Sequence, residues 1–372
     1  MVTTSVRART ACGLRILAAA AAVMAWVAGT AATATARSGR ELYEAACAAC
    51  HGSDGRGGAA AASSLPLQPP DLTDCSFASR EPDNDWIAVA HGGGPARGFD
   101  RQMPSFAELL TVDELRRIVT HVRTFCVEDG WPRGELNLPR AQVTSKAFPE
   151  DEAALRVIAD QGAVTTRFVY ARRLGARAQV EVVVPVSLVE DATGDWRGGV
   201  GDLAFAYKRV LAHSLPRGAI VSVAGELVVP TGSTERGIGG GATVVEAFVA
   251  YGQLLTARTF LQLQLGGAVP IDRDHPDELF ARAVAGRRLL ADGGHGRAWS
   301  PMVELLGARA VADDARLDVD VVPQLQVTLS ARQHVVASVG VRVPVTDRVE
   351  RPTQVMTYLI WDWYDGGFLT GW

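Results

Sequence analysis

The chain predicts two unlike domains in tandem: a small all-α domain, then an all-β antiparallel meander. Three observations carry this. All five cysteines lie at or before Cys126, so the chemistry is concentrated at the front. Apolar residues there recur at helical spacing, and from about residue 160 the period falls to two. With 372 residues, 48% of them hydrophobic and 21% charged, the chain is too long for one small module and too apolar for disorder. A formal charge of −4 leaves no broad basic field, so nucleic acid is not an expected partner. Beyond the N-terminus no run is long and apolar enough for a transmembrane helix.

Residues 1–36 have the layout of a secretory signal peptide. Arg7, Arg9 and Arg15 precede an apolar run from Ile16 to Ala28, and Ala34-Thr35-Ala36 offers the small-x-small cleavage pattern. Cys12 would leave with this segment, placing four cysteines in an oxidising compartment. The first domain is expected over 37–128. Within it Cys47-Ala48-Ala49-Cys50-His51 sets two thiols on one helical turn, able to form thioethers to the two vinyl groups of one haem. The imidazole that follows is placed as an axial iron ligand. A thioredoxin-like pair would need a βαβ context, and a zinc site a second Cys/His cluster. The expectation is therefore one covalent haem c.

A sixth ligand follows by elimination. Met103 is the one methionine of this region outside the signal segment, and it follows the glycine-rich Gly92-Gly93-Gly94-Pro95. Pro104 would stiffen its turn. His91 and His121 are the alternatives, one ending a helix expected over 83–91, the other inside a helix. That helix opens at Thr111-Val112-Asp113-Glu114, which has the form of a capping box. Its Leu115, Ile118, Val119, Val122 and Phe125 should pack on Leu42 and Tyr43 of an N-terminal helix. Residues 40–127 thus resemble a class I c-type cytochrome, with its N-terminal helix, CxxCH, proline-rich loop, methionine loop and C-terminal helix. Cys75 and Cys126 depart from that pattern. Neither belongs to a second CxxCH, and in an oxidising compartment they are expected to form a disulfide, two buried thiols being the alternative.

Residues 129–150 contain three prolines and no clear period, and read as an extended strap between domains. Residues 151–372 then alternate. Leu317, Val319, Val321, Leu325, Val327 and Leu329 interleave with Asp318, Asp320, Gln324, Gln326 and Thr328. About eleven such runs follow Ala163, each near ten residues. A soluble sandwich also alternates, but its strands are shorter. The length and the polar second face favour a transmembrane barrel. Closure with both ends on one side requires an even number, so about twelve strands are expected, one of them drawn from Ala154 to Asp160. The closing Trp361-Asp362-Trp363-Tyr364 to Trp372 resembles the aromatic terminus of outer-membrane barrels. Trp196 to Asp202 and Lys208 resemble the strand starts of porin-like transporters.

A monohaem cytochrome ahead of such a barrel resembles the cytochrome–porin fusions of the outer membrane, some of which oxidise extracellular iron. That resemblance implies electron transfer through a His/Met-ligated haem, with a redox protein, small molecule or metal as donor and acceptor. The alternatives are a periplasmic carrier with a soluble β partner-binding domain and a cytochrome-containing dehydrogenase subunit. No nucleophile elbow, dinucleotide glycine motif or metal-ligand cluster marks an enzyme. His213, His275, His295 and His334 read as solvated surface or lumen histidines. The cytochrome is expected at the barrel's periplasmic mouth, suspended or partly entered.

Overall fold

The computed structural model describes residues 36–57, 66–271, 274–290, 297–349 and 351–362. Residues 1–35, His295 and the aromatics from Trp363 to Trp372 lie outside the described residues. The helical domain holds α1 (Gly39–Ala46), α2 (Ala48–His51), α3 (Cys75–Ala78), α4 (Asp83–Gly92) and α5 (Val112–Val122). Both longer amphipathic helices start where the sequence caps them. Ser38 and Glu41 close a reciprocal capping box on α1, Thr111 and Glu114 another on α5. Leu42 and Tyr43 of α1 then bury themselves against Leu115, Ile118, Val119 and Val122 of α5. The crossing is tight: a Cβ on Gly39 would stand 2.1 Å from the Arg117 carbonyl oxygen. Only glycine lets the two backbones approach so closely.

The remainder is one closed antiparallel sheet. Its segments are β1 (Glu152–Ala159), β2 (Ala163–Leu174), β3 (Ala178–Glu190), β4 (Trp196–Val200), β5 (Leu203–Ser214), β6 (Ala219–Val229) and β7 (Val244–Leu254), followed by β8 (Thr259–Pro270), β9 (Glu278–Arg287), β10 (Leu289–Leu290), β11 (Ala298–Ala310), β12 (Asp318–Thr328), β13 (Val335–Pro344) and β14 (Gln354–Asp362). β4 and β5 share β3 as neighbour, and β9 and β10 share β11, so each pair is one interrupted strand of a twelve-stranded barrel. β1 closes the wall on β14, with Leu155 opposite Leu359. The stretch from Ala154 to Asp160 thus supplies a strand, as expected, and that strand closes the barrel.

The sheet is apolar outside and polar inside. Phe168, Tyr170, Leu188, Phe205, Leu265, Leu305 and Leu359 are exposed on the outer wall. Gln179, Gln262, Gln264, Glu304, Asp320 and Gln326 alternate with the outer residues and are buried. A soluble barrel would have the opposite polarity; this one suits a lipid surround. Among the described residues a single closed sheet also leaves no partner sheet for a soluble sandwich. Tight turns at 175–177, 215–218 and 255–258 gather at the end where β1 begins and β14 stops, while the longer loops 230–243 and 345–353 gather at the other. Asp202 pins the first of those loops, its carboxylate accepting from the Gly232 and Gly240 N–H groups at 2.8 and 2.7 Å.

The strap expected between the domains runs into the barrel. No residue from 130 to 154 is exposed. The reason is a match of polar groups. Strap N–H groups donate to Gln326, Glu304, Gln264 and Gln179 of the wall, and strap carbonyls accept from Gln262, Lys208 and Tyr358.

Candidate haem site and the barrel mouth

The donors sit where α1 ends and α2 begins. The Cys47 N–H closes α1 onto the Tyr43 carbonyl at 2.8 Å. One further turn follows, with the His51 N–H donating to the Cys47 carbonyl at 2.9 Å. This brings Cys47, Cys50 and His51 onto one short helical segment, and both thiols are free and half-buried. Gly52 ends the turn at φ +77°, a backbone that suits glycine. The Tyr43 hydroxyl donates to its carbonyl at 2.7 Å, tying the end of the motif to the helix core.

Burial sets the state of these groups. It pushes the Cys47 thiol up to about 11, with the neighbouring Cys50 adding to the rise. It holds the His51 imidazole below its ordinary range, leaving it neutral with a lone pair to offer. The buried His51 Nδ1 has no hydrogen-bond partner. Two free thiols and one neutral imidazole with an orphaned ring nitrogen, in a helical domain whose core is lined by the half-buried Phe77, Trp86, Ala90 and Phe106, fit a covalently held haem.

Met103 lies on a loop held firmly to the end of α4. Its carbonyl accepts from the Gly94 N–H at 2.9 Å, and the Phe106 and Ala107 N–H groups donate to Ala90 and His91. Gly93, at φ +79°, would bring a Cβ to 3.0 Å from both the Met103 oxygen and the Ser105 nitrogen. The buried Arg97 braces the turn on Asp85 at 2.8 Å. Of the rival histidines, His121 meets the Tyr43 and Phe125 rings edge-on, centroids 5.5 and 5.2 Å away, and those two rings also touch each other. Cys75 and Cys126 form a disulfide, S–S 2.00 Å, joining α3 to the chain just beyond α5.

The helical domain docks on the tight-turn end of the barrel. His334, expected as a solvated histidine, is instead 3% exposed and meets Glu81 of the helical domain at 2.8 Å. Burial on a partner carboxylate, invisible in a lone histidine of the sequence, is the reason. Next to it Gln333 reaches Asp85 at 3.4 Å, and the Arg332 guanidinium lies 4.2 Å over the Phe99 ring. Arg80 pairs with the buried Asp151, and the Gly134 N–H donates to the Ser79 carbonyl at 2.7 Å. A 130 Å³ cavity remains between the domains, lined among others by Arg80, Glu81, Arg288 and His334.

Residues 34–122 match the family model of cytochrome C oxidase, cbb3-type, subunit III. No curated protein matches the sequence. The barrel is similar to an outer membrane channel from Pseudomonas putida F1, with TM-score 0.45 and 11% identity over 60% of this chain and 100% of that one. It is also similar to the KdgM porin, with TM-score 0.41 and 9% identity over 57% of this chain and 99% of that one. The chain is a cytochrome c domain followed by a closed twelve-stranded barrel.

Proposed function

We propose that this is an exported monohaem c-type cytochrome that transfers electrons at the outer membrane, anchored there by its barrel. The observation that carries the reading is the free Cys47–Cys50–His51 turn, in a cytochrome domain docked at the mouth of a barrel whose outer wall is apolar. Cys47 and Cys50 would hold the haem, His51 and Met103 would ligate its iron, and the bound group supplies a one-electron couple. The chain's residues do the rest. Burial keeps His51 neutral, and Gly93 and Gly94 hold the Met103 loop in place. Phe77, Trp86 and Phe106 add apolar packing to the core of the same domain. Two protein ligands leave no vacant position, which favours electron transfer over substrate chemistry. Tight turns on the cytochrome side and long loops on the other match the periplasmic and external ends of such barrels.

The test has two parts. A pyridine haemochrome assay should give one haem per chain, and Met103→Ala should keep the haem while losing the weak red thioether-to-iron band. A band that survives rules out Met103. Membrane fractionation with heat-modifiable gel migration should place the protein with the outer membrane. Release as a soluble protein would revive the periplasmic carrier.

A further inference from the structure

We propose that residues 134–151 are a resident plug that closes the barrel to solutes, with the Glu304 carboxylate as its anchor. This rests on the membrane placement above and extends it to what the barrel does.

Glu304 stands on β11 and is fully buried. Its carboxylate accepts from three successive strap N–H groups, those of Gln142 at 2.6 Å, Val143 at 3.1 Å and Thr144 at 2.9 Å. The Thr144 hydroxyl adds a fourth bond at 2.8 Å, and Gln324 of β12 a fifth at 2.5 Å. Consecutive backbone N–H groups converging on one carboxylate form an anion nest. Here the nest lies in the strap and the anion in the wall.

Anchoring continues around the circumference. Gln262 of β8 donates to the Pro139 carbonyl at 2.9 Å, and Lys208 of β5 to that of Lys146 at 3.1 Å. On the opposite arc Tyr358 of β14 donates to the Arg140 carbonyl at 2.5 Å, and the Gln142 amide reaches Ser338 of β13 at 3.1 Å. Between these polar ties, apolar contacts fill the section. Leu136 and Phe148 pack on Val210, Ile220 and Ala250, and Leu138 and Ala141 on Phe260, Val284 and Met302. A strap that merely crossed a water-filled pore would keep exposed residues, and this one has none. The lumen is therefore occupied, and solute has no path past the strap.

The full-length protein is reconstituted in phospholipid vesicles, insertion is checked by flotation and heat-modifiable migration, and efflux of a small sugar is followed. Wild-type vesicles should leak no faster than protein-free ones, and Glu304→Ala vesicles at least tenfold faster. A leaky wild type overturns the plug whether or not the variant folds. A tight Glu304→Ala barrel that inserts overturns the anchor. A protein that does not float counts against the membrane reading, and then the plug is tested in detergent. A Ser145→Cys/Gln264→Cys pair should join through a short thiol cross-linker, because the Ser145 N–H lies 3.0 Å from the Gln264 side-chain oxygen; no cross-link overturns the plug.

Discussion

Cys47 shows how the fold prepares a residue before any cofactor is attached. A half-buried thiol displaced to about 11 is almost wholly protonated at pH 8, and the thiolate is the form that alkylating agents attack. An exposed thiol with an ordinary value near 8.5 would be roughly a quarter ionised there. In haem-free protein, Cys47 should therefore react with iodoacetamide on the order of a hundredfold more slowly than a cysteine in an unfolded peptide. Mass spectrometry of timed alkylation at pH 8 reads this, and equal rates would refute the buried setting. Cys47, Cys50 and His51 stand out in the sequence because five consecutive residues carry the pattern, and the fold sets them on one short helical segment. The role of Glu304 was not. Its partners are backbone N–H groups some 160 positions away, and a backbone donor leaves no mark in the sequence.

At the scale of elements, capping and periodicity carried most of the information. Thr111 and Glu114 begin α5 where the sequence says they should, the Ser38–Glu41 box that begins α1 appears only in the structure, and each strand's outer residues follow from alternation. What alternation does not reveal is the break within a strand, as at Gly201-Asp202 between β4 and β5. There Asp202 turns away from the ladder to hold Gly232 and Gly240. The crossing of α1 on α5 is equally specific. Gly39→Ala would force a methyl to within 2.1 Å of the Arg117 oxygen. Moving the helices apart should cost about 1–3 kcal/mol, more than the fraction of a kcal/mol that alanine gains within a helix. Thermal unfolding of Gly39→Ala should thus show a lower midpoint, and an unchanged or higher one would show that the crossing relaxes freely.

For the whole molecule, the decisive relation is between the two domains. Residues 129–150 carry prolines, glycines and scattered polar groups, a composition that suits a solvated tether as well as a lumen filling. Which one it forms depends on Gln179, Gln262, Gln264 and Glu304, and these face one lumen only when strands far apart in the sequence are laid side by side in the barrel. The docked domain stands at the tight-turn mouth, with the hydrocarbon core, about 30 Å thick, between it and the opposite loops. In intact cells a reductant that cannot cross the outer membrane should therefore reduce the haem no faster than the background rate. A permeant reductant should reduce it promptly. Rapid reduction from outside would place a route through the wall that the occupied lumen does not provide.

The concealment of the strap also changes how the protein meets proteases. Joined domains are ordinarily severed at the segment between them, since it is open to solvent and easily drawn into a cleft. Here trypsin would find Arg140 and Lys146 inside the sheet, held to Glu152 and Glu150. To reach either bond the enzyme must wait for the barrel itself to open, so digestion of this junction reports the unfolding of the wall. Limited trypsinolysis of the native protein should trim exposed loops and leave residues 134–151 joined to both domains. An early cut after Arg140 or Lys146 would show that the strap leaves the barrel on its own.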